Sequence, residues 1–121
     1  MQKIYSTNVV ELGPLVTDFM GEKMVILFNE NAPAELRDYC VLHRDGNLTD
    51  IVAAGDTLRY AGEDFKIVFV GSEVQKNLKD LGHITLRFNG NADGESLEGS
   101  LYVEDKPIPS IQVGDTVEIY K

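Results

Sequence analysis

Cysteine, basic residues and long apolar runs are all scarce in this chain, and each scarcity removes a class of protein. Cys40 is the only cysteine among 121 residues, so no intramolecular disulfide framework can form. A domain of this length buries roughly two-thirds of its unfolded surface, so it needs no covalent staple. The longest unbroken apolar run, Met24 to Phe28, is far shorter than the roughly 20 residues a membrane-spanning helix requires. No basic-then-apolar leader opens the sequence, which argues against secretion and for a cytoplasmic protein. Lysine and arginine number 11 against 20 acidic residues, a net charge of -9. Nucleic-acid binding draws on a basic face that displaces counterions, and no run of Lys or Arg can build one here. Anionic membrane surfaces are disfavoured for the same reason. An acidic protein is instead steered toward a basic partner, although the same charge also serves solubility alone.

What the sequence does contain is a set of short strands in a chain of one-domain length, residues 1–121. Lys3 to Glu11 is rich in Ile, Val, Tyr and Thr and ends at Gly13-Pro14. Lys23 to Asn29 and Tyr39 to His43 are compact apolar runs. Thr57 to Tyr60 and Phe65 to Val70 flank a four-residue hairpin loop, Ala61 to Asp64. His83 to Phe88 alternates, with His83, Thr85 and Arg87 on one face and Ile84, Leu86 and Phe88 on the other. Ser100 to Val103 and Thr116 to Tyr120 complete a strand set that fits a closed or nearly closed barrel, or a sandwich. One or two short helices are expected. Ser72-Glu73-Val74-Gln75 reads as a capping box opening a helix that Gly82 stops, and Pro33 to about Asp38 reads as a second. Ala54-Gly55-Asp56-Thr57-Leu58 echoes Val113-Gly114-Asp115-Thr116-Val117, as two similar turns would. Asn89 to Gly99, rich in Gly, Asn, Asp and Glu, reads as a mobile surface loop.

Metal chemistry finds no support. Asn89 to Gly94 fits the first half of a calcium loop, but the twelfth position is Ser100 where a bidentate Glu belongs. Cys40 and His43 have zinc-like spacing, yet residues three apart on a strand point to opposite faces, and no second Cys/His pair completes a tetrahedron. Cys40 is better read as a small buried hydrophobe. There is no Gly-x-Ser-x-Gly elbow and no phosphate-binding Gly-x-x-x-x-Gly-Lys loop. No carboxylate sits in an apolar setting that would fit it for glycosidase chemistry. No cofactor is called for.

Histidine remains. His43, one of only two, closes an apolar strand and runs into Arg44-Asp45-Gly46, so its imidazole stands where a strand leaves the core. A neutral imidazole accepts a phosphoryl group if one nitrogen is free and the other is held by a hydrogen bond. His83, Thr85 and Arg87 offer an imidazole, a hydroxyl and a guanidinium in a row, which could line a phosphate-sized pocket if their strand lies beside that of His43. Arg44 is the weaker candidate because a regular strand points it away from His43. A solvated sheet face and an ordinary strand-end histidine account for the same residues without any chemistry.

The stretches Ala32-Pro33-Ala34-Glu35-Leu36, Tyr39 to His43, Gly71-Ser72, Asn77-Leu78 and Leu81-Gly82-His83-Ile84-Thr85-Leu86-Arg87-Phe88 closely resemble the glucitol/sorbitol-specific IIA component of the bacterial phosphoenolpyruvate-dependent sugar phosphotransferase system. The likeness runs from Ile4-Tyr5 to the terminal strand. It implies an all-β, partly open small barrel with a Greek-key element. It also implies a phosphotransferase that takes a phosphoryl group from phospho-HPr on a histidine and passes it to a cysteine of the IIB domain, which serves the membrane IIC component. The family's phosphorylated histidine corresponds to His43. His83 corresponds to a second histidine motif, and we assign it a supporting role, with Arg87 and Thr85 stabilising phosphoryl oxygens. An apolar rim around His43, including Tyr39 or Val41, is expected for transient docking. Edges left by an imperfectly closed barrel allow a homodimer. The alternative is a non-catalytic regulatory or ligand-binding barrel in which His43 is idle.

Overall fold

A computed structural model describes residues 1–92 and 94–121. Eight strands follow one another around a ring: β1 (Lys3–Leu12), β2 (Met24–Asn29), β3 (Cys40–Arg44), β4 (Thr57–Tyr60), β5 (Glu63–Val70), β6 (Ile84–Arg87), β7 (Ser100–Val103) and β8 (Thr116–Tyr120). Their spatial order is β1-β3-β2-β6-β7-β5-β4-β8, and β8 pairs back onto β1 to close a barrel. The β2–β3 and β6–β7 pairs are parallel and the other neighbours antiparallel. Closure supplies the all-β barrel that the strand pattern implies. It also leaves none of the eight strands with an unpaired edge, so the edge pairing invoked for a homodimer has no site among them.

The barrel holds together because alternation sends one side of each strand inward. Tyr5, Val9, Val25, Leu27, Val41, Leu58, Phe65, Ile84, Leu86, Val117 and Ile119 belong to one continuous buried cluster. Phe88 sits edge-on to both Tyr60 and Phe65, with ring centroids 5.5 and 4.9 Å away. Each large apolar side chain buried in this way contributes about 1.5–3 kcal/mol. A second, smaller cluster lies on the outer face of β2 and β3, where Phe28, Cys40 and Leu42 are covered by Ala32. Burial on both faces explains why β2 and β3 read as apolar runs without alternation. Cys40 is buried there, as its hydrophobic reading requires, and burial pushes its thiol up to about 11.

Among the described residues three helices decorate the ring: α1 (Val16–Met20), α2 (Ala34–Arg37) and α3 (Val74–Leu81). The first carries no signal in the sequence beyond one turn of residues between Pro14 and Gly21. The capping box is a correction. Glu73, not Ser72, occupies the cap position of α3, and no side chain caps it. The Gln75 carboxamide instead accepts from Val52 N–H at 2.9 Å and donates to the Asp50 carbonyl at 3.0 Å, tying the helix to the β3–β4 connection. The hairpin is tighter than four residues. Tyr60 pairs with Glu63, and Ala61 and Gly62 both have positive φ (48° and 86°), the pattern of a two-residue type I′ turn. The two Gly-Asp turns are alike, with the Asp56 and Asp115 carboxylates each accepting a backbone N–H three residues earlier. Of the rejected calcium loop, Asp93 lies outside the described residues.

Candidate functional site

His43 sits at one end of the barrel, on the inner face of β3. Val41, two residues before it, belongs to the interior cluster, and alternation gives His43 the same direction. Its register partners are Val9 on β1 and Asn29 on β2. The side chain is fully buried, at 0 % exposure, which a histidine tolerates only when its polar atoms are engaged. Both are. Nδ1 lies 2.6 Å from the Thr7 hydroxyl of β1, and Nε2 lies 2.8 Å from the Gly82 carbonyl oxygen just beyond α3. The Thr7 hydroxyl is itself 2.9 Å from the Arg44 carbonyl oxygen.

Gly82 reaches the site because α3 ends there. It adopts a left-handed conformation at φ 61°, which turns the chain into β6 and aims its carbonyl back at His43. A Cβ at this position would run into the Asn29 side chain and come within 2.6 Å of His43 Cε1, so glycine is required by both backbone and space. The carbonyl also lies at the partially negative end of a helix.

A carbonyl only accepts, so Nε2 carries the proton of that hydrogen bond. A count of protons then separates two states. Three short contacts (Nε2 to Gly82, Nδ1 to Thr7, Thr7 to the Arg44 carbonyl) need three protons. Neutral imidazole and one hydroxyl bring two; imidazolium and the hydroxyl bring three. Burial holds the His43 pKa below its ordinary value, with the Gly82 carbonyl opposing that fall. His43 is therefore neutral at pH 7, and the Thr7 hydroxyl donates either to Nδ1 or to the Arg44 carbonyl.

Above His43 opens a cleft of about 370 Å³ lined by Asn29, Glu30, Asn31, His43, Arg44, Asp45 and Gly46. Arg44 is the fixed cation of that lining, 2.8 Å from the Glu30 carboxylate in an exposed ion pair. Arg44 is the last residue of β3, still paired with Asn8 of β1, and it lines the cleft together with His43 just before the positive-φ residue Asp45 turns the chain.

The other expected site residues lie elsewhere. His83 stacks on Phe28, ring centroids 4.3 Å apart and 20° from parallel, and Phe28 belongs to the outer cluster. Thr85 and Arg87 thus occupy the outer face of β6, with His83 on the same side just before it, while His43 faces inward. Thr85 pairs with Ile26, level with Cys40 rather than His43. Arg87 pairs with Met24, five residues along β2 from Asn29, or roughly 16 Å at about 3.3 Å per residue, and its Nε donates to Ser100 Oγ at 2.9 Å. The supporting roles given to His83, Thr85 and Arg87 are corrected accordingly: β2 and the opposite facing of the side chains separate them from His43. The apolar rim fails too, since Val41 is fully buried and Tyr39 lies just before the far end of β3, its ring centroid 5.7 Å from that of Phe19. Sequence reasoning missed Thr7, Asn29 and the Gly82 carbonyl. Only the position of Gly82, next to a helix stop and a histidine, carried any signal.

No group of three or more potential metal ligands is present among the described residues, and none of their helices is long and apolar enough to cross a membrane.

Residues 4–118 match the family described as PTS system glucitol/sorbitol-specific IIA component. The PTS system glucitol/sorbitol-specific EIIA component of Shigella flexneri is 36% identical over 109 residues, covering 90% of this chain and 87% of that protein. The protein of the same description from Escherichia coli (strain K12) is 35% identical over the same span. Among solved structures, the PTS system IIA component from Enterococcus faecalis V583 superposes with a TM-score of 0.84 at 27% identity, covering 96% of this chain and 99% of that one. The closed barrel and the extent of these matches agree: the chain belongs to the glucitol/sorbitol-specific IIA family of the sugar phosphotransferase system.

Proposed function

We propose that this chain is a cytoplasmic phosphocarrier, in which His43 takes a phosphoryl group from phospho-HPr and passes it to the IIB component of a glucitol/sorbitol uptake system. The observation that carries the reading is the setting of His43: a neutral imidazole, its orientation set from both sides, beneath an open cleft that holds one arginine. Transfer between two histidines moves a phosphoryl group between chemically similar acceptors. Positioning and compensation of oxygen charge are then the main demands on the protein. Arg44 is the residue available for that compensation, exchanging the Glu30 carboxylate for phosphoryl oxygens.

One observation favours the rival, an idle His43 in a regulatory or ligand-binding barrel: both ring nitrogens are engaged and the side chain is buried. The two readings part in a single reconstitution. Phosphoenolpyruvate, Enzyme I and HPr are supplied to the wild-type chain and to His43→Gln, and intact mass is measured. An acid-labile gain of one phosphoryl group in the wild type alone supports the phosphocarrier. Labelling that survives in His43→Gln moves the site, and a wild type that takes no label leaves the binding barrel.

A further inference from the structure

Asn29 ends β2 where a turn begins, and its backbone is held from two sides. Glu30 N–H donates to the His43 carbonyl at 2.9 Å, and Ala32 N–H donates to the Asn29 carbonyl at 3.0 Å. An asparagine opening such a turn commonly bonds its own backbone two residues on. Here the carboxamide turns to Gly82 instead: its oxygen is the first atom a Cβ on that glycine would meet, with His43 Cε1 next at 2.6 Å. Its NH2 group has no hydrogen-bond partner among the described residues, and the side chain is half-buried. Asn29 is also the register partner of His43 in the parallel β2–β3 pair. Residues so paired face the same side, on strands about 4.8 Å apart. Cε1 is bonded to both ring nitrogens, so the carboxamide stands beside the reacting edge of the imidazole.

The cleft that Asn29 and His43 line also holds Glu30, Asp45 and Arg44. That is two carboxylates against one guanidinium, and Glu30 already engages the guanidinium at 2.8 Å. An incoming phosphoryl group brings charge on its three equatorial oxygens, more than one paired arginine offsets. Resting on the phosphocarrier reading, we propose that Asn29 is a further catalytic residue of the transfer: its free NH2 group donates to the phosphoryl oxygens from β2, while Arg44 reaches them from β3. A ring nitrogen of neutral His43 lends its electron pair to the new P–N bond. The donor's P–N bond breaks with its pair left on the donor nitrogen, and the His43 ring keeps its one proton on its other nitrogen. Asn29 neither gains nor loses a proton. An amide suits this place because it donates without a charge of its own, so Glu30 does not compete for it as for Arg44; an aspartate of the same size would only accept. The backbone contacts at residues 29, 30 and 32 set the donor in place before reaction, the condition under which such donors are most effective.

The test follows labelling of the full chain from phosphoenolpyruvate through Enzyme I and HPr, at rising concentrations of phospho-HPr, after urea unfolding has shown each variant to be folded. Asn29→Ala and Asn29→Asp are expected to lower the maximal labelling rate by roughly a hundredfold, as loss of one oxyanion donor does, with the phospho-HPr concentration at half-maximal rate little changed. Asn29→Ser keeps a donor and should recover part of the rate. A folded Asn29→Ala with the wild-type maximal rate overturns the role of Asn29 while the phosphocarrier reading stands. A defect confined to the half-maximal concentration does the same, since it places Asn29 in docking alone. Absence of label in the wild type overturns both. Should the variants fail to fold, the wild type still decides: its ¹⁵N-labelled Asn29 carboxamide protons are expected to move downfield on phosphorylation, and protons that stay in place overturn the proposal.

Discussion

His83 lies flat against Phe28, ring centroids 4.3 Å apart, on the opposite side of the sheet from the imidazole of His43. The two histidines of this chain are close in space through Gly82, whose carbonyl bonds one and whose chain continues into the other, yet they serve different faces. The outer one is a packing residue whose pKa burial lowers.

His83→Phe keeps the stack and is expected to label as the wild type does in the Enzyme I and HPr reconstitution. His83→Ala is expected to lose about 0.5–1.5 kcal/mol of stability from the missing aromatic pair, read from urea unfolding. A His83→Phe variant that folds and no longer labels would bring His83 into the chemistry.

Gly82→Ala meets two obstacles. The left-handed backbone costs about 1–2 kcal/mol for a residue with a Cβ, and that Cβ runs into Asn29 and His43. The urea midpoint is expected to fall by more than the backbone penalty alone accounts for. An unchanged midpoint would mean that Gly82 holds neither the left-handed backbone nor the close contact with Asn29 and His43 seen here.

Stability should depend on pH through His43. Its folded pKa lies below the ordinary value of 6.5 because burial disfavours the charged ring. The unfolded chain therefore binds more protons just below pH 6.5, and the free energy of unfolding, the stability, rises with pH across that window. The contribution is fully present above about pH 6.5 and is lost as pH falls through the folded pKa. Urea titrations of wild type and His43→Gln between pH 5 and 7.5 should show the wild-type advantage shrinking on the acid side. An advantage that grows toward pH 5 would mean that the imidazolium is the favoured buried form, with all three contacts protonated.

Tyr5 carries the opposite lesson. Its phenol oxygen is buried without a hydrogen-bond partner among the described residues, and burial pushes its pKa up to about 12; the Thr7 hydroxyl nearby opposes that rise but makes its hydrogen bonds elsewhere. An unsatisfied buried hydroxyl costs about 1–3 kcal/mol. Tyr5→Phe is accordingly expected to be as stable as wild type or more so by thermal unfolding. A clear loss of stability would show that the hydroxyl has a partner in solution.

The strands of this barrel were legible because alternation and β-branched runs are local consequences of where a strand buries its sides. β4, β7 and β8 begin and end where their patterns do. The I′ turn at Ala61-Gly62 was blurred because charged residues Glu63 and Asp64 read as loop, although they pair with Tyr60 and Arg59. The capping box at Ser72 was misread because Gln75 found better partners in a segment more than twenty residues away.

The sequence by itself determined the class of protein, its acidic surface, its apolar strands and the histidine that ends one of them. These follow from composition and from the two-residue period of a strand, which need only near neighbours to be read. The tertiary structure alone decided what surrounds that histidine. Thr7, Asn29 and Gly82 come from three different elements, and only β1, β2 and the end of α3 arriving at one barrel end bring them together. The same geometry turned His83, Thr85 and Arg87 outward, because a strand that sends Ile84 and Leu86 into the core must send its alternate residues away from it.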